Sequence, residues 1–133
     1  VSDLIQIIYA SQPFGFGDDI LNGILMSARR NNARDRITGA LICRGDLYLQ
    51  LLEGPRDRVE ALFGRIERDN RHIEVNLRVR EPVTDRLFPA WAMRDDPARS
   101  WMWSPDEVYA GAVERASREE LLGVFARLAA EPA

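Results

Sequence analysis

Cysteine and histidine are almost absent: Cys43 and His72 are the only examples in the chain. One thiol cannot close an intramolecular disulfide, and one thiol with one imidazole cannot ligate a structural zinc ion, so an apolar core has to hold the fold. The same scarcity points to a reducing compartment. Long apolar runs are missing as well. No stretch approaches the roughly 18 residues that a membrane helix needs, and the N-terminus lacks the basic-then-apolar pattern of a secretion signal. The expected setting is cytoplasmic, with no membrane partner. Nor is there an excess of positive charge. The 18 Lys and Arg residues stand against 21 Asp and Glu, a formal net charge of −3, which offers no general attraction for phosphate backbones and argues against a nucleic-acid partner.

The residues that are present suffice for one domain. A chain of 133 residues can bury roughly two thirds of the surface it exposes when unfolded. Leu4 to Tyr9 is β-branched and almost continuously apolar, the pattern of a central strand covered on both faces. Pro13 and Gly15 break it. Asp18 and Asp19 then supply N-cap chemistry for a helix with Ile20, Leu21, Ile24, Leu25 and Ala28 at helical spacing, closing on Arg29-Arg30-Asn31-Asn32. Two strands come next, Arg36 to Cys43 and Leu47 to Glu53, joined by Gly45-Asp46 in a tight antiparallel hairpin. Gly54-Pro55 opens a second helix whose Val59, Leu62, Phe63 and Ile66 make one buried stripe. Ile73 to Arg80 alternates apolar and polar residues as a strand with one wetter side, Pro82 ends it, and Leu87 to Met93 is expected to form a further short strand.

The order β-α-β-β-α-β-β makes the expected class α+β, ferredoxin-like with one added strand and two core helices on one face. Two further helices, each opened by a capping box at Ser104 to Glu107 and Ser117 to Glu120, are expected to cover the other face with Val108, Leu121, Leu122, Phe125 and Leu128. Residues 1–94 then form the core domain, and 95–133 a linker and helical cap.

Several polar residues stand out from this pattern. Gln50 lies in the middle of Leu47-Tyr48-Leu49-Gln50-Leu51-Leu52 and, by strand parity, shares a face with Tyr48 and Leu52. A buried amide there has to satisfy its hydrogen-bonding sites, and failing to do so costs about 1–3 kcal/mol; the alternative is a side chain turned to solvent or to a backbone group. Tyr9 ends the central strand, where α/β ligands commonly bind, or simply carries its hydroxyl to the surface. Arg29 to Asn32 is either a solvated helix end with an Asn cap, or a set of planar donors and acceptors suited to a heterocycle edge or phosphate. Arg65 and Asp69 are spaced as a surface ion pair, His72 is compatible with an ordinary half-buried site, and Trp91 and Met93 share one strand face as core residues would.

Taken in order, Tyr9-Ala10-Ser11, Arg30-Asn31-Asn32, Ile37-Thr38-Gly39-Ala40-Leu41, Gln50-Leu51-Leu52-Glu53-Gly54, Arg68-Asp69-Asn70-Arg71-His72 and Trp91-Ala92-Met93 resemble the BLUF family of blue-light sensors. The resemblance covers about residues 4 to 93. It implies noncovalent FAD, with the isoalloxazine between the two core helices. It further implies that Ile24 and Ile66 flank the ring, that Asn32 with Asn31 nearby hydrogen-bonds its polar edge, and that Arg29, Arg65, Asp69 and His72 line the ring edge and ribityl chain. Tyr9 and Gln50 correspond to the photochemical pair, with Ser11, Trp91 and Met93 as neighbours. Excitation would move an electron and a proton between Tyr9, Gln50 and flavin and leave a reorganised carboxamide and a small red shift, passed on through Trp91 or Met93 to the Trp101 to Trp103 linker. No catalytic site is implied. The stretch beyond Met93 is too short for an attached effector, so output is expected through a separate downstream protein or a homo-oligomer.

Other readings compete. Arg44-Gly45-Asp46-Leu47-Tyr48-Leu49 partly imitates an RNA-recognition signature, although Asp46 and Leu47 replace the residues expected there and the net charge opposes it. A ferredoxin-like phosphate hydrolase, or a ligand-free interaction domain, would fit the same elements and be colourless.

Overall fold

The computed structural model describes residues 4–13, 30, 34–44, 47–68, 72–88, 94–95, 106–107 and 110–130. The elements run β1 (Leu4–Pro13), β2 (Thr38–Arg44), β3 (Leu47–Pro55), α1 (Arg56–Arg68), β4 (His72–Pro82), β5 (Arg94–Asp95), α2 (Ala112–Arg115) and α3 (Arg118–Ala130). Five strands make one sheet in the order β4-β1-β3-β2-β5. The first four pair antiparallel, and β5 joins β2 in parallel. This is the expected ferredoxin-like sheet with one strand added. The first core helix lies outside the described residues apart from the helical Arg30, as do the Gly45-Asp46 turn and the box at Ser104.

Alternation along β1 explains its continuous apolar run. Ile5, Ile7 and Tyr9 meet Ile37, Leu41, Tyr48 and Leu52 and, from α1, Val59 and Ile66. Ile8 and Ala10 point the other way, into a core with Ala40, Ile42, Leu49, Leu51, Val79 and Phe88 that the C-terminal helices cover with Val113, Leu121, Phe125 and Leu128. Both faces of β1 are therefore dry, as expected. Burying each large side chain of α3 contributes roughly 1.5–3 kcal/mol, and Phe125 meets Phe88 edge-on at 6.5 Å between ring centres.

Local chemistry starts these helices. α3 carries the expected box in both directions: Glu120 N donates to Ser117 Oγ at 3.1 Å and Ser117 N donates to Glu120 Oε1 at 3.2 Å, so two otherwise orphaned amides are satisfied. α1 begins after Pro55, with Asp57 in its first turn and Arg65 and Arg68 in its last, charges that complement the helix dipole. Gly54 before it allows a close crossing, since a Cβ there would lie 2.8 Å from the Arg36 carbonyl oxygen.

Two expectations need correction. Leu87 and Phe88 lie outside any strand; the described part of the last strand is Arg94–Asp95, and 89–93 lie outside the described residues. The reason is Glu53. Its carboxylate, fully buried, accepts from Leu87 N at 3.0 Å, Phe88 N at 2.6 Å and Gln6 Nε2 at 3.2 Å, so these amides bond to a side chain and not to a ladder. The alternation expected along β4 is also interrupted: its pairing with β1 slips between Ile8 and Tyr9 and again between Ala10 and Gln12.

Candidate functional site

Sheet register brings the two most conspicuous polar residues together. Tyr9 lies opposite Gln50 on β3, and Gln50 lies opposite Leu41 on β2, so the three side chains form one row on the α1 face. Tyr9 is 0% and Gln50 3% exposed. The Tyr9 hydroxyl donates to Gln50 Oε1, which satisfies two groups whose burial would otherwise be costly. Of the alternatives open in the sequence, a solvated Gln50 and a surface Tyr9 hydroxyl are both excluded.

Around this pair the surroundings are apolar. Phe63 of α1 tilts its ring at 56° against Tyr9, 5.5 Å between centres. Leu52 and Ile66 are buried in the same cluster, with Leu62 and Val75 packed against it. Ser11, buried, sits opposite Tyr48 one pleat further along β1. A phenol and a carboxamide under the apolar stripe of a helix suit a flat, heteroatom-bearing guest: the stripe offers dispersion contact and the carboxamide both a donor and an acceptor.

Arg65 stands next to Ile66 and is half exposed. Its Nη2 lies 3.7 Å from Asp35 Oδ2, and Asp35 also receives Arg34 Nε at 3.2 Å and Arg58 Nη1 at 3.3 Å. Three guanidiniums thus converge on one buried carboxylate between the start of β2 and α1. The hydrogen bond from Arg34 holds the Asp35 carboxyl below the usual 3.8, against burial, which raises it; the charges of Arg34, Arg58 and Arg65 lower it further. A depressed pKa means stability that is present above the ordinary aspartate value and lost as pH falls through the folded one. Asp35→Asn is therefore expected to lower the urea midpoint at neutral pH, and the gap to the parent protein is expected to close below about pH 4. A gap that persists unchanged into acid would refute this account of the cluster.

Asp35 is a residue that the sequence reading passes over, although an aspartate between Arg34 and Arg36 is a readable signal. Ile24, Arg29, Asn31, Asn32, Asp69, Trp91 and Met93 lie outside the described residues, so the expected Arg65 and Asp69 pair does too. His72 begins β4 opposite Pro13; its side chain is outside the described part. β5 neighbours β2, which separates it from the strand of Gln50.

Two cavities lie elsewhere, one of about 590 Å³ bordered by Gln6, Pro82, Leu87 and Leu122, the other of about 360 Å³ bordered by Ala10, Ser11, Asn76 and Arg78. Neither has Tyr9, Gln50 or Arg65 in its wall. Among the described residues no group of three or more His, Cys, Asp or Glu could hold a metal ion, and no helix is long and apolar enough to cross a membrane.

Residues 4–94 match the family model described as BLUF, sensors of blue-light using FAD. Over 94 residues, 70% of this chain and 11% of the relative, the chain is 36% identical to the photoactivated adenylate cyclase subunit beta of Euglena gracilis; it thus spans about a tenth of that relative's length. Its structure is similar to BlrB, a BLUF protein in its dark state, with a TM-score of 0.74, 32% identity and 97% of each chain covered. It is also similar in fold to BlsA in its photo-activated state, with a TM-score of 0.81, 23% identity, and coverage of 97% of this chain and 96% of that one.

Proposed function

The chain belongs to the BLUF family of blue-light sensors using FAD, and from that premise we propose that light is read here by Tyr9 and Gln50 with FAD bound between the core helices. The observation that carries this reading is the buried hydrogen bond from the Tyr9 hydroxyl to Gln50 Oε1, under the apolar stripe of α1. The chemistry a bound flavin supplies is blue absorption and, when excited, a reversible one-electron oxidant.

With the excited flavin as the one-electron oxidant, Tyr9 would give up an electron and its Oη proton would move along the existing hydrogen bond to Gln50 Oε1. Return of the electron and the proton to Tyr9 would restore the phenol. The carboxamide, by rotation or tautomerisation, is left presenting its other end, and a changed hydrogen bond to the ring shifts the absorption slightly to the red. Burial keeps water from competing for the proton and strengthens each hydrogen bond in the low-dielectric interior.

Ring contacts are assigned to Ile24 and Ile66, its polar edge to Asn31 and Asn32, and the ribityl side to Arg29, Arg65, Asp69 and His72. Ser11, Trp91 and Met93 complete the surroundings of the photoactive pair. Residues 1–94 serve as the flavin domain, while 95–133 pass the signal to a separate protein or a second copy of the chain.

The purified protein is expected to be yellow, to release FAD and not FMN on denaturation, and to show a small reversible red shift after blue illumination. A colourless protein would favour the hydrolase or the ligand-free interaction domain. A yellow protein with no shift would leave a flavin carrier without photochemistry.

A further inference from the structure

The slip in pairing between β1 and β4 falls beside the photoactive phenol. Ile8 pairs with Val79 and Tyr9 with Leu77, which leaves Arg78 as an extra residue, a β-bulge on an edge strand. The bulge changes where side chains point. Val79 packs with Ile8 on the face covered by the C-terminal helices, whereas Tyr9 faces α1 and its partner Leu77, 42% exposed, shares that side. In an unbroken strand Arg78 and Val79 would point to opposite faces; the extra residue lets both turn toward the cap.

Arg78 uses that direction to hold the cap. Its Nη1 donates to the Val113 carbonyl at 2.9 Å, and its Nη2 donates to Glu114 O at 3.2 Å and Ala116 O at 3.0 Å. These carbonyls end α2 and begin the turn into α3, where a helix end leaves carbonyls short of donors; Val113 O shares the guanidinium with Ala116 N, which donates to it at 3.1 Å. One guanidinium thus satisfies three acceptors with charge-assisted bonds. Further along β4, Glu81 pairs with Arg118 at the exposed start of α3, a contact of the kind that contributes little.

We propose that Arg78 is the latch through which the state of Tyr9 reaches the C-terminal helices. The inference rests on the light-sensor reading above. In the dark the bulge aims Arg78 at the α2 to α3 junction. Rearrangement of the Tyr9 and Gln50 hydrogen bond shifts β1 against β4 where their ladder is already interrupted, draws the guanidinium off its carbonyls, and loosens the junction. This exit lies at the β4 edge, opposite the β5 edge where Trp91 and Met93 would send it.

Hydrogen exchange of the flavin-loaded protein, in darkness and under blue light, tests the proposal. Amides of residues 112–121 are expected to exchange several-fold faster in light. Arg78→Met, which keeps the aliphatic stem, is expected to show fast exchange there in both conditions while the red shift survives. Arg78→Lys, with one ammonium for three carbonyls, is expected to retain a reduced contrast, and Arg118→Gln the full contrast. Full contrast in Arg78→Met overturns the latch, and so does loss of contrast in Arg118→Gln equal to that in Arg78→Met. If the parent protein shows no spectral shift, the light-sensor reading fails; if it shifts and 112–121 do not respond, only the latch fails.

Discussion

Gln50→Leu is expected to yield a protein that still binds flavin and has lost its light-induced red shift altogether. The carboxamide is the one group beside Tyr9 in the described site that can both take a proton and re-present itself, and leucine can do neither. Tyr9→Phe is expected to abolish the same signal from the other side, because the donor of the hydrogen bond to Oε1 disappears. Both variants also cost stability: leucine takes the acceptor from the buried Tyr9 hydroxyl, and phenylalanine takes the donor from the buried Gln50 oxygen, a penalty of about 1–3 kcal/mol in either case. Difference spectra under blue light and urea unfolding in the dark read the two effects independently. A normal photocycle in either variant would exclude the proposed chemistry while leaving the fold intact.

The largest loss of stability is expected at Glu53. Replacing it with leucine removes the shared acceptor of Gln6 Nε2, Leu87 N and Phe88 N, in a place where water does not reach. Three neutral donors then lose their acceptor, and each one left buried and unsatisfied costs about 1–3 kcal/mol. Glu53→Gln keeps only one of the two oxygens that Leu87 N and Phe88 N use separately, so one amide loses its acceptor. Gln6 can turn its own oxygen toward the new NH₂ group, and a smaller loss of about 1–3 kcal/mol is expected. Urea midpoints of the two variants measure the difference. Equal, small losses would mean that the carboxylate is not what holds the segment 83–88 against the sheet. The consequence extends to the site, since Glu53 lies three residues beyond Gln50 on the same strand.

Much of the fold was legible because it rests on periodicity. The strand parity of Tyr48, Gln50 and Leu52, the apolar stripe of α1 and the Ser117 box depend only on which residues recur at which spacing, and each stands in the structure as expected. The start of the last strand escapes the sequence for an equally physical reason. Leu87 and Phe88 look like strand residues, and they are buried or partly so, but their amides bond to a carboxylate 34 and 35 residues earlier. No local pattern records such a partner. The Asp35 cluster shows the same limit: charged residues between elements read as solvated until the fold stacks Arg58 and Arg65 over one of them.

The amino-acid sequence by itself determined the order of elements, the division of β1 between two dry faces, and which phenol and which amide were candidates for chemistry, because side-chain period and polarity are properties of the chain. Only the tertiary structure decided that those two groups touch, that Glu53 replaces a ladder, and that a single extra residue on β4 aims Arg78 at the cap. Each of these depends on the register between strands distant in sequence, and a slip of one residue would turn the side chains concerned to the opposite face.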